Sequence, residues 1–315
     1  MIEIKELKYS QNGTQIINGL SLNVEGRGIF GILGENSAEK TAIANLICGC
    51  YDADGGCVLV NEKEINRKNY DLKKRVRLVP TQLLAEPTST PVEYLDFFGE
   101  ALGVDSEKRY RQIKEALDLM GIEDIQNRRI STLGAAERCR ISLAAALIGN
   151  PEYIILDEPF GGIDLTTLKE IYELLLMLGE IKTLILLSHK PSEIKSLCKD
   201  VAIINGGKAV LSGNVAQIEA RINSTHEFHL TVRGNSQSVI YAINSVEGVI
   251  SVKITSSDKN DVNSILVEHS PDEKMKDKLF TALSEINAPM LSFKKVTLTL
   301  EDVYYSLTSK GGDCK

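Results

Sequence analysis

The apolar run GIFGIL at Gly28–Leu33 stops at Gly34, passes through a short polar stretch, and resumes over residues 40–48 with apolar residues at helical spacing. No other stretch constrains the fold as much. A buried strand that ends in glycine and turns through a polar loop into a helix puts a helix N-terminus and successive backbone N–H groups at a strand tip, where an anion can be held. The loop reads Gly34-Glu35-Asn36-Ser37-Ala38-Glu39-Lys40-Thr41. Against the phosphate-loop pattern G-x-x-x-x-G-K-[ST], Gly34, Lys40 and Thr41 fit, and Glu39 stands where the second glycine belongs. In such a loop the Lys meets the β- and γ-phosphates and the Thr hydroxyl meets Mg²⁺. By itself the segment fits either that role or an ordinary strand–loop–helix corner with a capping Lys.

Residues 2–7, 16–24, 57–60 and 75–79 carry the alternation or short apolar runs of strands, and residues 92–102, 108–120 and 135–147 carry helical spacing. From 153 onward, strands (153–156, 183–187, 201–204) alternate with helical patterns (165–178, 192–198). That alternation predicts a mostly parallel, doubly wound α/β sheet. Past residue 224 the order becomes strand 227–233, helix 236–244, strands 249–254 and 263–268, helix 272–286, strand 291–296 and a closing helix 300–307. The order βαββαβ is the split-βαβ, ferredoxin-like plan. The expected domains are 1–224, with a helical subdomain at about 88–147, and a small α/β domain over 225–315. A chain of 315 residues, 43% apolar and 25% charged, is long enough for both.

A second chemical signal is Tyr153-Ile154-Ile155-Leu156-Asp157-Glu158-Pro159, an apolar strand ending in two carboxylates. Asp157 is placed to hold Mg²⁺ and Glu158 to polarise an attacking water. Adjacent acids at a strand end can be merely solvated. Here both halves of a nucleotide site appear in order, each closing a predicted strand. The formal charge of −7, without a dominant basic block, argues against nucleic acid as the main partner. Six cysteines, none in a C-x-x-C pair and most within apolar runs, read as reduced, buried thiols of a cytoplasmic protein. The N-terminus MIEIKELKYS has no apolar signal-peptide core. The longest nearly apolar stretch, 141–149, is far shorter than the ~20 residues of a bilayer span, so the chain is expected to be soluble.

Upstream of the acidic strand stand Ser131-Thr132-Leu133-Gly134-Ala135 and Glu137-Arg138; downstream stand Gly161-Gly162-Ile163-Asp164 and Leu187-Ser188-His189. These motifs, in this order and with these spacings, resemble the ATP-binding cassette (ABC) ATPases over residues 2 to about 218. The resemblance implies a P-loop NTPase cassette with an antiparallel β subdomain, a mostly parallel α/β core and a helical subdomain, using ATP and Mg²⁺. It implies that Tyr9 stacks on the adenine and that Gly34, Asn36, Ser37, Ala38, Glu39, Lys40, Thr41 and Ala42 line the nucleotide. Thr41 and Asp157 would hold the metal. Thr81 or Gln82 would form the Gln loop facing a membrane partner. Thr132, Leu133, Gly134 and Ala135 would form the signature that caps the γ-phosphate held by the other cassette. Glu158 and His189 would be catalytic, and Asp164 would form the Asp loop. An ungapped match puts Thr81 rather than Gln82 at the usual position, and two extra residues precede Ile16, so both registers stay open.

Residues 227–307, closing on Thr299-Leu300-Glu301-Asp302-Val303-Tyr304-Tyr305-Ser306-Leu307, resemble the small C-terminal domain of two-component exporters in that family, with bracing of a dimer as its expected role. The whole resemblance implies the cytoplasmic energising subunit of an ABC exporter, peripheral on the inner face of the cell membrane. Its partners would be a membrane permease and a second cassette, the same chain or a paralogue, with no nucleic acid. A nucleotide-binding regulatory or scaffold subunit with little hydrolysis is the alternative. A soluble ABC protein of translation or DNA repair ranks last, because one cassette and no heptad run are seen.

Departures cluster in the loop. Ser37 and Glu39 replace glycines, Ala42 replaces a hydroxyl residue, and Leu133 and Ala135 alter the signature. A Ser forced to φ > 0 costs on the order of 1–2 kcal/mol. Glu39 is favourable at a helix N-terminus by roughly 0.3–1 kcal/mol without ligand and repels a bound triphosphate. The expectation is a weakened phosphate loop beside an intact set of Asp157, Glu158, Asp164 and His189.

Overall fold

The computed structural model describes residues 1–222, 226–258, 261–272, 274–296 and 299–308. The chain divides into two compact units: Met1–Val215 together with the chain from Tyr304, and Ala216–Val303.

In the first unit, β1 (Ile2–Gln11), β2 (Thr14–Val24), β4 (Gly55–Val60) and β5 (Lys63–Glu64) form an antiparallel sheet of order β2-β1-β4-β5. The second sheet has the order β10-β9-β3-β8-β7-β6. It comprises β3 (Gly28–Leu33), β6 (Val76–Val79), β7 (Tyr153–Asp157), β8 (Thr183–Ser188), β9 (Asp200–Asn205) and β10 (Lys208–Asn214). All its neighbours run parallel except β10 against β9. Every residue of β7 and β8 is buried, which is why those segments are continuous apolar runs rather than alternating ones.

Helices follow where local caps allow them. Asn36 caps α1 (Ser37–Ile47), and α2 (Tyr70–Lys73) is a single turn. Thr90 and Glu93 form a capping box on α3 (Pro91–Ala101), which starts with a proline whose missing N–H costs nothing there. Asp105 caps α4 (Ser106–Met120), and α5 (Ala135–Leu147) completes the helical segment. Then come α6 (Leu165–Ile181), α7 (Pro191–Leu197) and α8 (Val215–Ile222).

The second unit contains β11 (His226–Arg233), α9 (Ser236–Asn244), β12 (Val249–Ser257), β13 (Val262–His269), α10 (Met275–Glu285) and β14 (Met290–Val296). Its sheet is antiparallel, in the order β12-β13-β11-β14, which is the split-βαβ arrangement. Alternate inward residues such as Leu230, Val232, Ile265 and Val267 pack under Ile243 and Leu279 of the helices. The last helix, α11 (Leu300–Thr308), is divided between the units at Tyr304.

The structure differs from expectation in three places. The expected boundary at residue 224 lies outside the described residues, and the units divide just after Val215, the first residue of α8. The short elements β5 and α2 have too few residues to show a period. Among the five described cysteines, all free thiols, Cys48, Cys139 and Cys198 are buried but Cys50 is exposed; Cys314 lies outside the described residues. No described helix is long and apolar enough to cross a membrane.

Candidate functional site

Strand β8 lies between β3 and β7 and joins their tips. The Gly34 N–H donates to the Ser188 carbonyl (3.1 Å), and the Glu158 N–H donates to the Leu187 carbonyl (3.0 Å). Two loops 124 residues apart in the chain (Gly34 and Glu158) therefore leave the same end of one parallel sheet, where open α/β sheets place ligands. Gly34 is required by close approach: an added Cβ would lie 2.5 Å from Cγ1 of Ile204.

Lys40 is fully buried. Its Nζ donates to the Gly34 carbonyl (2.6 Å) and the Glu35 carbonyl (3.4 Å) and pairs with Glu158 Oε1 (3.3 Å). The Thr41 hydroxyl donates to Asp157 Oδ2 (2.8 Å). His189, at the end of β8 and half exposed, sets Nδ1 2.7 Å from Glu158 Oε2. Glu158 adopts φ +49°, a left-handed conformation costing on the order of 1–2 kcal/mol in a non-glycine residue and concentrated at functional sites. Lys40, Thr41, Asp157, Glu158 and His189 are thus one connected cluster.

Asp157 is 4% exposed, and its Oδ1 has no hydrogen-bond partner. Burial raises its pKa, with the neighbouring Glu158 adding to the effect and the Thr41 hydroxyl opposing it. A buried carboxylate oxygen without a donor, beside a hydroxyl, is a hard-oxygen set that fits a Mg²⁺ ion completing its shell with water and phosphate. Among the described residues no three His, Cys, Asp or Glu side chains converge on one point.

The phosphate loop differs from expectation. Neither Ser37 nor Glu39 has positive φ, so the predicted backbone strain at Ser37 is absent. Instead α1 begins at Ser37, and Asn36 Oδ1 accepts the Ala38 N–H (2.9 Å), a cap that a side chain supplies without glycine. Glu39 is 7% exposed. Burial raises its pKa, opposed by the Gly207 backbone N–H, the Asn36 amide and Lys40. Its carboxylate is folded into the protein rather than into solvent. Ala42 is buried on the inner face of α1.

The other candidates have local partners. Asp164 caps α6, accepting the N–H groups of Thr166 and Thr167 (both 3.0 Å) and the Thr167 hydroxyl (2.7 Å). In the signature the Thr132 hydroxyl donates to the Arg129 carbonyl (2.7 Å), the Gly134 N–H donates to Glu137 Oε2 (2.6 Å), and Leu133 is buried. Thr81 and Gln82, past the end of β6, line a cleft of about 490 Å³ with Ala135, Arg138 and Gly161. Tyr9 stacks on Tyr51 (5.3 Å between centroids, 12° between planes) and packs against the first unit's core.

Two groups escaped the sequence reading. Glu193 accepts the buried Ser188 hydroxyl (2.6 Å), and Ser188 Oγ accepts the Lys190 N–H, which fixes the backbone on both sides of His189. The spacing S-H-x-x-x-E was the available signal. Tyr304 is buried, and burial together with the Glu35 and Glu158 carboxylates pushes its phenol up to about 12. No local pattern ties it to residues so distant in the chain.

The family model described as ABC transporter matches residues 17–161. The chain is 27% identical over 311 residues to the linearmycin resistance ATP-binding protein LnrL of Bacillus subtilis (strain 168), covering 98% of this chain and 99% of the relative. It is 30% identical over 213 residues to the Nod factor export ATP-binding protein I of Paraburkholderia xenovorans (strain LB400), covering 67% and 70%. Its fold matches the dimeric post-hydrolysis structure of the ATP-binding cassette MJ0796 bound to ADP and Pi (TM-score 0.61, 19% identity, 68% of this chain and 98% of that one). The chain belongs to the ABC transporter family as an ATP-binding cassette, a family of ATPases.

Proposed function

We propose that the chain binds and hydrolyses Mg-ATP at the seam between two cassettes and thereby drives a membrane permease of an exporter. The carrying observation is the convergence of Lys40, Thr41, Asp157, Glu158 and His189 around the tip of β8. The names of the relatives, which concern drug resistance and factor export, support the exporter class.

In this reading, nucleotide entry requires Lys40 to release the Gly34 carbonyl and Glu158, so one motion frees a cation for the β- and γ-phosphates and a carboxylate to orient water. His189 also contacts the Glu158 carboxylate and would reach the γ-phosphate. Mg²⁺ held by Thr41 and Asp157 would neutralise phosphate charge. Thr132 to Ala135 would cap the nucleotide of a partner cassette, the same chain or a paralogue. Thr81 and Gln82 would report its presence to the permease, through which the chain would sit on the cytoplasmic face of the membrane. Tyr9, held on Tyr51, would offer its edge or outer face to the adenine.

Turnover by the purified chain is the test. Glu158→Gln should lower kcat by about 10²-fold or more while leaving Mg-ATP binding intact; unchanged turnover would remove Glu158 from the mechanism. One observation favours a second reading, a regulatory cassette that holds nucleotide with little turnover: a buried carboxylate, Glu39, occupies the loop where glycine normally leaves room for phosphate. Mg-ATP binding by the wild type without measurable turnover would select it.

A further inference from the structure

His189 stands between the end of β8 and the start of α7, and both of its chain neighbours are held by one buried carboxylate. Ser188 is fully buried; its hydroxyl donates to Glu193 Oε2 (2.6 Å), and its oxygen accepts the Lys190 N–H (3.0 Å). Glu193 Oε1 pairs with Lys190 Nζ at 3.0 Å. Glu193 thus grips the residue before His189 through a hydroxyl and the residue after it through an ammonium. The Ser188 carbonyl also accepts the Gly34 N–H, so the same residue ties this segment to the phosphate loop.

Glu193 is 4% exposed, on a helix whose Pro191, Ile194 and Leu197 are also buried. A buried carboxylate is costly unless paired and hydrogen-bonded, and apolar side chains of similar volume often stabilise such a place as well or better. Stability alone does not call for an acid here. What the acid adds is direction, and the group that needs direction is the half-exposed His189. Its Nδ1 lies 2.8 Å from Oε1 and 2.7 Å from Oε2 of Glu158. A carboxylate only accepts, so this contact keeps the proton of the neutral ring on Nδ1.

We propose that Glu193 is a positioning residue: by holding Ser188 and Lys190 it aims the His189 ring at Glu158 in the Nδ1–H tautomer, and so aligns the pair that serves hydrolysis. The kinetic half of the proposal rests on the hydrolysis reading; the tautomer does not.

The test has two readouts. The first is the long-range ¹H–¹⁵N spectrum of the four histidine rings, recorded where they are neutral, with His189 assigned by its disappearance in His189→Gln. Wild type and E193Q, which keeps an acceptor for the Ser188 hydroxyl, should both show the His189 proton on Nδ1. E193A and S188A should show it mainly on Nε2, the form preferred by imidazole free in water. The second readout is turnover. E193A should lower kcat by about 10-fold or more with Mg-ATP Kd unchanged within about twofold; S188A should do the same, and E193Q should stay within about threefold of wild type. In the residual turnover of a His189→Gln background, E193A should change kcat by less than about twofold, because the group it aims is gone. S188A removes a single oxygen and keeps the test open if E193A does not fold.

A wild-type His189 signal in S188A and in folded E193A, or an equal fall in kcat with and without His189, overturns the proposal and leaves the hydrolysis reading standing. Absence of turnover in the wild type defeats the hydrolysis reading instead, and the ring signal alone then upholds or overturns the placement of His189 by Glu193.

Discussion

Replacing Glu39 by Gln separates the two roles a carboxylate plays in the phosphate loop. The side chain is 7% exposed in the first turn of α1, next to Lys40, the lysine proposed to bind the phosphates. At an effective dielectric near 20, a unit negative charge about 8 Å from the carboxylate costs about 2 kcal/mol, and one about 4 Å away costs about 4 kcal/mol. Even the smaller figure corresponds to about 30-fold in Kd. Burial holds the Glu39 pKa above its unfolded value. Any stability this shift contributes is therefore present below the usual carboxylate range and is lost as pH rises through the raised pKa. At neutral pH the ionised group is the disfavoured form, so E39Q should melt at or above the wild-type temperature. Its Mg-ATP affinity, measured by titration calorimetry, should rise 10-fold or more. Wild-type affinity should also increase relative to E39Q as pH is lowered through the Glu39 pKa, with E39Q serving as the control for titration of the nucleotide itself. Equal affinities within twofold, or a common pH profile, would refute the repulsion argument.

The remaining predictions concern the neighbouring groups. Asp157 is likewise buried with a raised pKa, so Asp157→Asn should raise the melting temperature of the nucleotide-free chain at neutral pH and abolish any further rise on adding Mg-ATP, as thermal scans will show. Gly34→Ala drives a Cβ to within 2.5 Å of Ile204, a core residue without room to retreat; overpacking of this kind costs about 1–3 kcal/mol and should appear as a lower denaturation midpoint together with weaker nucleotide binding. Asp164→Ala removes the cap of α6 and should cost about 1 kcal/mol in chemical denaturation.

The parts of this architecture legible in the sequence are those with a local cause. The run at Gly28–Leu33 followed by a capped helix, the fully buried strand Tyr153–Asp157 and the alternating strands of the second unit each carry their own period and their own stop signal. The βαββαβ order of the second unit follows from the same periods. The division at Val215 was not legible, because a unit boundary depends on which core an apolar residue joins, and α8 and the described residues 304–308 are shared out by packing rather than by pattern. The absence of strain at Ser37 was also hidden: comparison with a glycine-bearing loop implied a left-handed residue, but Asn36 starts the helix early and removes the need for one.

From the sequence alone came the candidate groups, a Lys–Thr loop and an Asp–Glu strand end, because residue type and strand termination are local properties. The tertiary structure decided how those groups stand toward one another. By inserting β8 between β3 and β7, the sheet brings the two strand tips together, pairs Lys40 with Glu158, leaves one oxygen of Asp157 without a donor and folds Glu39 inward. Pairing across more than a hundred residues is set by strand order and burial, which no window of sequence contains.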